Sequence, residues 1–281
     1  MACIELRTVS HIYMQGTPLE TLALHDVTVG FDSREIVAVM GKTGAGKSTL
    51  MQHLNGILCP AEGTVCLDGT DIHAKKNSVT HTVGLVFQFP ETQLFEQTVF
   101  DDIAFGPRNL GWNEDAVRAA VEESIECIDS SLSMLYERSP FSLSGGEQRK
   151  VALCGILAMK PDILCLDEPA AGLDPRSKEQ LFAVLKKLHV SGKGIIIVTH
   201  DSNDAFRYAD RIVVMHNGKI ALNAPVSTLR DKPESLTTFG IMLPDIITVM
   251  RYAPDLFSSS DIWDDDTVVR RLVTHCMNKM P

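Results

Sequence analysis

Three short runs of the chain are apolar almost without interruption: EIVAVM (35–40), ILCLD (163–167) and KGIIIVTH (193–200). Such runs suit strands buried on both faces, as in a parallel sheet covered by helices, whereas a half-exposed strand alternates. Helical spacing governs other segments. EDAVRAAVEESIECI (114–128) places Val117, Val121, Ser124, Ile125 and Ile128 on one face. After Asp174-Pro175, a favourable helix start, Leu181, Phe182, Leu185 and Leu188 form a second such stripe. SLSGGEQRKVALCGILAMK (142–160) reads as helix after its glycines, and GKTGAGKSTLMQHLNG (41–56) as a turn leading into a helix that stops at Gly56. Residues 3–40 read as several short strands, GTVCLDG (63–69) as another, and Asn217-Gly218 between apolar runs predicts a hairpin. The order is a β-rich start, βα units, a helical insertion over about 90–160 and a return to βα, which is the α/β class. From 226 onward the pattern loosens, giving an expected division into a main domain, 1–225, and a small, mainly helical appendage, 226–281. Asp264, Asp265 and Asp266 read as a solvated loop within it.

One segment fits no simple pattern. LVFQFPETQLFEQTV (85–99) begins as a buried strand, is interrupted by Gln88, and is stopped as an inner strand by Pro90. Leu94, Phe95 and Val99 follow among polar residues, either as internal packing of the helical insertion or as an outward-facing apolar surface.

Composition narrows the partners. The 281 residues are 44% hydrophobic and 22% charged, ordinary for a globular protein. A net charge of −10 argues against a broad nucleic-acid-binding surface. Seven scattered cysteines with no CxxC pair read as buried thiols in a reducing compartment, Cys165 as core filler. MACIELRTVS is no signal peptide, and no apolar run approaches the roughly 18–20 residues of a membrane span, so a cytosolic chain is expected that meets a membrane through a partner.

Chemistry enters with Gly41-Lys42-Thr43-Gly44-Ala45-Gly46-Lys47-Ser48, which matches GxxxxGK[ST] between a buried strand and a helix. The glycines let backbone N–H groups turn onto a phosphate at the positive end of the following helix. Lys47 would reach the β- and γ-phosphates, and the Ser48 hydroxyl would ligate Mg²⁺. Hydrolysis needs carboxylates, and ILCLDE supplies Asp167 for Mg²⁺ and Glu168 as general base at a strand's C-terminal edge. Two acids after a strand can also simply cap the next element.

Leu143-Ser144-Gly145-Gly146-Glu147-Gln148, taken with GAGKST, LCLDEP, Gly172-Leu173-Asp174 and His200, resembles the ATP-binding-cassette ATPases over residues 1–225. The resemblance implies a P-loop NTPase cassette with a RecA-like core, an N-terminal antiparallel β subdomain and a helical signature subdomain. It implies ATP and Mg²⁺, with two cassettes sandwiching two nucleotides. Gly41–Ser48 and Thr49 would bind one triphosphate, while Ser144, Gly145, Gly146, Glu147 and Gln148 would meet the γ-phosphate held by the other subunit. Ser144 can at the same time be a plain helix N-cap. His200 would contact the γ-phosphate, Asp174 would bridge the two sites, and Gln88 would touch Mg²⁺ or the lytic water. Tyr13 sits where the family stacks an aromatic on adenine, although a strand aromatic is also ordinary core. Ala170 departs from the Thr or Ser of many relatives.

GLVFQFPETQLFEQTVFDDIAFGPRNLG and VALCGILAMKPDILCLDEPAAGLDP, the latter with Gly155 where many cassettes carry Arg, are similar to energy-coupling factor ATPases of the cobalt and vitamin uptake type. That implies a peripheral position on the cytoplasmic face of the cell membrane. It also implies a second ATPase subunit, identical or distinct, a transmembrane coupling protein docked on Leu94, Phe95 and Val99, and a membrane substrate-binding component, with no nucleic-acid partner. Other importers, and soluble relatives in DNA repair or translation, are the alternatives. A single cassette, no heptad run and an acidic balance weigh against the soluble ones.

Overall fold

The computed structural model describes residues 2–74, 79–252, 269–271 and 273–275. Two sheets organise it. The first is antiparallel, in the order β2-β1-β4-β5, from β1 (Cys3–Tyr13), β2 (Thr21–Asp32), β4 (Glu62–Leu67) and β5 (Thr70–Asp71). Residues 3–32 thus form two long strands where several short ones were expected. A turn over 14–20 separates the two, and β1 itself is interrupted only by register shifts, where Thr8 takes a positive φ of 51°.

The second sheet runs β10-β9-β3-β8-β7-β6. Its strands are β3 (Ile36–Met40), β6 (Val83–Val86), β7 (Ile163–Asp167), β8 (Gly194–Val198), β9 (Arg211–His216) and β10 (Lys219–Pro225). Each of β3, β6, β7 and β8 is buried at every position, as their continuous apolar runs require. They are parallel and end nearly flush, since Val39 pairs with Val198, Asp167 with Val198, and Val86 with Leu166. The β9–β10 hairpin turns at Asn217 and Gly218, both with positive φ, 49° and 74°.

The helical subdomain contains α2 (Val99–Asn109), α3 (Glu114–Ile128) and α4 (Gly145–Ala158), with two 3-10 turns between α3 and α4. Thr98 and Asn113 cap α2 and α3, accepting from the amides of Asp101 and Ala116. Ser144 caps α4 in a capping box with Glu147, so the helix begins at Gly145 itself rather than beyond both glycines. Leu94 and Val99 are 5% and 0% exposed inside this subdomain's own core. They are therefore not docking residues; of the expected trio, only Phe95 faces outward, 56% exposed.

The remaining helices are α1 (Lys47–Leu54), α5 (Pro175–Val190), α6 (Ser202–Tyr208), α7 (Val226–Asp231), α8 (Glu234–Thr237) and α9 (Asp245–Tyr252). The expected boundary at 225 is not a boundary in the core. Val226, Leu229, Leu236, Ile241 and Ile247 pack with Ala38, Met40, Ile212 and Val214 of β3 and β9. The Asp264–Asp266 run, Cys276 and any dimerising role of the chain's last stretch lie outside the described residues. Of the other thiols, Cys66, Cys154 and Cys165 are buried, but Cys3 and Cys127 are only half-buried and Cys59 is exposed. Among the described residues no helix is long and apolar enough to cross a membrane.

Leu236 is fully buried in the cluster that joins α8 to the sheet. Leu236→Ala should cost about 2–5 kcal/mol. In urea it should shift the single unfolding transition of the whole chain with its slope unchanged; an unshifted midpoint would mean that this segment folds apart from the sheet.

Candidate active site

The flush ends of the parallel strands decide which loops meet. The glycine-rich loop leaves β3, Asp167 and Glu168 end β7, His200 follows β8, and Gln88 follows β6. Residues from all four line one cleft of about 1030 Å³, together with Tyr13. Clefts at the carboxyl ends of parallel strands are where open α/β sheets bind ligands.

Within the loop, two glycines are sterically required. Gly41 has φ +148° and a Cβ there would lie 2.4 Å from the Met215 carbonyl oxygen. Gly46 has φ +100° and a Cβ would lie 2.6 Å from the Ala23 oxygen. Gly46 is also the N-cap of α1 and offers no side-chain cap, leaving the first amides of the helix available to an anion. The Lys47 ammonium, 8% exposed, donates to the carbonyls of Gly41 (2.8 Å) and Lys42 (3.0 Å). With three N–H donors it retains one for a phosphate. Burial holds the pKa of Lys47 below its usual value, against the pull of Glu168 and Asp167.

Asp167 is 9% exposed. Burial raises its pKa, the Ser48 hydroxyl bond opposes that rise, and neighbouring Glu168 adds to it. The Glu168 backbone sits at φ +47°, an uncommon place for a non-glycine residue, and its amide donates to the Val198 carbonyl at 3.0 Å. Both carboxylate oxygens are engaged across the sheet edge. Gln88 Nε2 donates to Oε2 at 3.0 Å, and His200 Nδ1 lies 3.4 Å from Oε1. The arrangement offers a buried cation, free amides, a hydroxyl beside a carboxylate and an oriented second carboxylate. It can hold a polyphosphate and polarise a water beside it.

Tyr13 lines this cleft, 38% exposed, its hydroxyl 3.2 Å from Thr49 Oγ1. The signature residues do not. Ser144 and Gly146 line a separate groove with Asp129, Lys150 and Ser177. The Glu147 carboxylate turns back on Ser144, accepting from its amide (2.8 Å) and hydroxyl (2.7 Å), and these bonds hold Glu147 below the usual carboxylate range. Gln148 donates to the Pro140 carbonyl at 3.1 Å. Of the motif, then, the side chains of Glu147 and Gln148 are committed inside the subdomain, while Ser144, Gly145 and Gly146 face solvent at a helix start. Asp174 is the N-cap of α5, accepting from the amides of Arg176 and Ser177.

Sequence patterns missed two parts of this region. Gly240, Ile241 and Met242, well beyond the expected domain end, form a wall of the cleft, and Gly240 abuts the Lys42 side chain. No motif marks them. Arg149, on α4, donates to the Ala171 carbonyl (3.0 Å) and faces Glu91 (3.7 Å), tying the signature helix to the loop after Glu168 and to the exit from β6. Its position one residue past the signature was the available signal.

Residues 24–171 match the family described as ABC transporter. An energy-coupling factor transporter ATP-binding protein, EcfA2, of Caldanaerobacter subterraneus subsp. tengcongensis is 47% identical over 88% of each chain. Its namesake in Bacillus thuringiensis strain Al Hakam is 44% identical over 92% of this chain and 89% of that one. Among solved structures, CbiO1 of Clostridium perfringens, part of the ABC transporter complex CbiONQ, superposes with a TM-score of 0.72, 31% identity, and coverage of 88% of this chain and 98% of that one. The dimeric cassette MJ0796 bound to ADP and Pi gives 0.70 at 27% identity, covering 79% and 98%. The fold and sequence shared with these proteins, with a cleft that can hold a polyphosphate, place the chain in the ABC transporter family, among the ATP-hydrolysing ATP-binding proteins of energy-coupling factor transporters.

Proposed function

We propose that the chain is the cytoplasmic, membrane-peripheral ATPase of an energy-coupling factor importer. It would work as one half of a cassette dimer beneath a transmembrane coupling protein, and a membrane substrate-binding component would select a vitamin or a transition-metal ion such as cobalt. The observation that carries this reading is the Glu168 carboxylate, held at the phosphate cleft by Gln88 from one strand end and His200 from another. Gln88 is also the first residue of the segment that leads to the protein's exposed aromatic patch. A change at the γ-phosphate position therefore has a short mechanical route outward.

That patch supports a membrane partner. Phe89, Phe95 and Phe105 are 54%, 56% and 41% exposed, and the Phe95 and Phe105 rings meet edge to face at 4.7 Å. Contiguous exposed aromatics mark interaction surfaces. The half-buried Asp102 carboxylate accepts from the amides of Phe95 (2.9 Å) and Glu96 (3.0 Å), holding the loop that presents Phe95.

Binding and hydrolysis divide among the chain's own groups. The amides of Gly44–Ser48 and the Lys47 ammonium take the phosphates, with Thr49 behind them and Tyr13 under the base. Glu168 accepts a proton from the attacking water, and His200 steadies the γ-phosphate. Ser144 with the Gly145 and Gly146 amides would complete the partner's site, and Asp174 would bridge the two. Ser48, Asp167 and the Gln88 amide oxygen form an all-oxygen donor set containing one carboxylate, which suits Mg²⁺ because that ion keeps waters and phosphate oxygens as its other ligands. Bound Mg²⁺ supplies neutralising charge for the β- and γ-phosphate oxygens.

Three outcomes follow. Lys47→Ala should weaken ATP binding about 100-fold, the loss of a charge-assisted contact, when affinity is measured by calorimetry; unchanged affinity rejects the phosphate-loop assignment. Glu168→Gln should still bind ATP and dimerise, with turnover lowered roughly 10²–10⁴-fold. Near-normal phosphate release would remove Glu168 from the base role. Phe95→Asp should leave the chain folded but abolish its co-purification with membrane proteins from gently solubilised membranes. Identifying the chains captured by the unsubstituted protein reports whether the second ATPase is the same polypeptide, and recovery of ribosomes or DNA alone would overturn the transport reading.

A further inference from the structure

Two histidines outside the phosphate site close a circuit beneath Tyr13. His53 lies in the last turn of α1 and is fully buried. Its Nδ1 is 2.8 Å from the Thr49 carbonyl oxygen, an acceptor only, so Nδ1 carries the ring proton. Its Nε2 is buried with no hydrogen-bond partner. The His53 ring meets His11 edge to face at 4.8 Å, and His11 meets Tyr13 edge to face at 4.6 Å. The Tyr13 hydroxyl returns to Thr49 Oγ1 at 3.2 Å. Thr49 therefore holds both ends, its carbonyl binding His53 and its hydroxyl binding Tyr13, and it directly follows Ser48 of the phosphate loop.

We propose that His11 and His53 are positioning residues that lock the Tyr13 ring to α1, so that the base platform and the phosphate loop form one rigid unit of fixed spacing. The proposal rests on the reading of Tyr13 as the adenine platform. Three geometric features carry it. The circuit is closed, so the ring of Tyr13 is restrained by the T-shaped contact with His11 and at its hydroxyl by Thr49. The cluster joins two elements, β1 and α1, that separately supply the base contact and the phosphate contact. A plain core position in α1 would be filled by an aliphatic residue, as at Leu50 and Leu54, whereas His53 leaves a buried nitrogen unpartnered and makes a hydrogen bond that only a donor can make. Burial pushes the His53 pKa down to about 4, which keeps the ring neutral and able to pack against His11.

A tyrosine already fixed loses less conformational freedom when a base stacks on it. Releasing the lock should therefore weaken only the base-dependent part of binding. The test compares the affinity of the purified chain for ATP with its affinity for inorganic tripolyphosphate, which has phosphates but no base. His53→Leu and His11→Leu should each raise the Kd for ATP roughly 3- to 10-fold and leave that for tripolyphosphate within about twofold. His53→Phe, which keeps an aromatic ring against His11, should recover most of the loss. Equal weakening of both ligands, or of neither, overturns the proposal, as does failure of His53→Phe to differ from His53→Leu. If His53→Leu does not fold, His11→Leu at its half-buried strand position decides alone by the same comparison. Tyr13→Ala separates the proposal from its premise. If it leaves ATP affinity unchanged, the adenine-platform reading falls; if it selectively weakens ATP while the histidine variants do not, only the lock is rejected.

Discussion

The parallel register of β3, β8, β7 and β6 is the constraint on which the rest depends. These strands are apolar throughout and buried on both faces, so they can be satisfied only in the interior of a sheet covered by helices. Once they pair with flush ends, their following loops have nowhere to go but the same edge. Lys47, Asp167, Glu168, His200 and Gln88 are brought together by this geometry, although they span more than half of the chain. The cost is local. Lys47 and Asp167 are charged groups shifted toward neutrality by burial, and Glu168 occupies a left-handed backbone conformation. A polyphosphate with its counter-ion is the ligand that makes such a site favourable.

Among the described residues, a few polar links connect this edge to the helical subdomain. Gln88 reaches Glu168, and Arg149 reaches both Ala171 and Glu91. Each of these links joins the loop after β7 to the segment carrying Phe89 and Phe95. Leu94 and Val99, buried in the subdomain core, anchor that segment, while Asp102 shapes the loop that exposes Phe95. Residues 85–99 are therefore divided by side chain. Leu94, Val99 and Phe87 face in, Phe89 and Phe95 face out, and a glutamine at the strand end touches the Glu168 carboxylate.

Much of this was legible in the residues alone. Continuous apolar runs identified the buried strands, because a strand covered on both faces has no polar side to show. GAGKST, ILCLDE and LSGGEQ identified nucleotide chemistry, because a phosphate demands glycine where the backbone must approach it and a base where water is activated. Asp174 before Pro175 identified one helix start and Ser144 stood as a possible N-cap of another, since Ser and Asp bond locally to orphan amides. Local chemistry of this kind needs only neighbours in the chain.

What the tertiary structure alone decided involves partners distant in sequence or the orientation of a single side chain. Whether Leu94, Phe95 and Val99 face in or out depends on what α2, α3 and α4 leave uncovered, and a mixed polar and apolar segment does not encode that in its period. The lining of the cleft by Gly240–Met242 depends on α7 and α8 packing under β3 and β9, across two hundred residues. The commitment of Glu147 and Gln148 to their own subdomain, and the circuit of His11, His53, Thr49 and Tyr13, arise because folding sets β1 against α1 and α4 against the turn before it. The sequence determined which chemistries the protein possesses, since each resides in a short motif; the packing of distant elements determined which side chains can reach them.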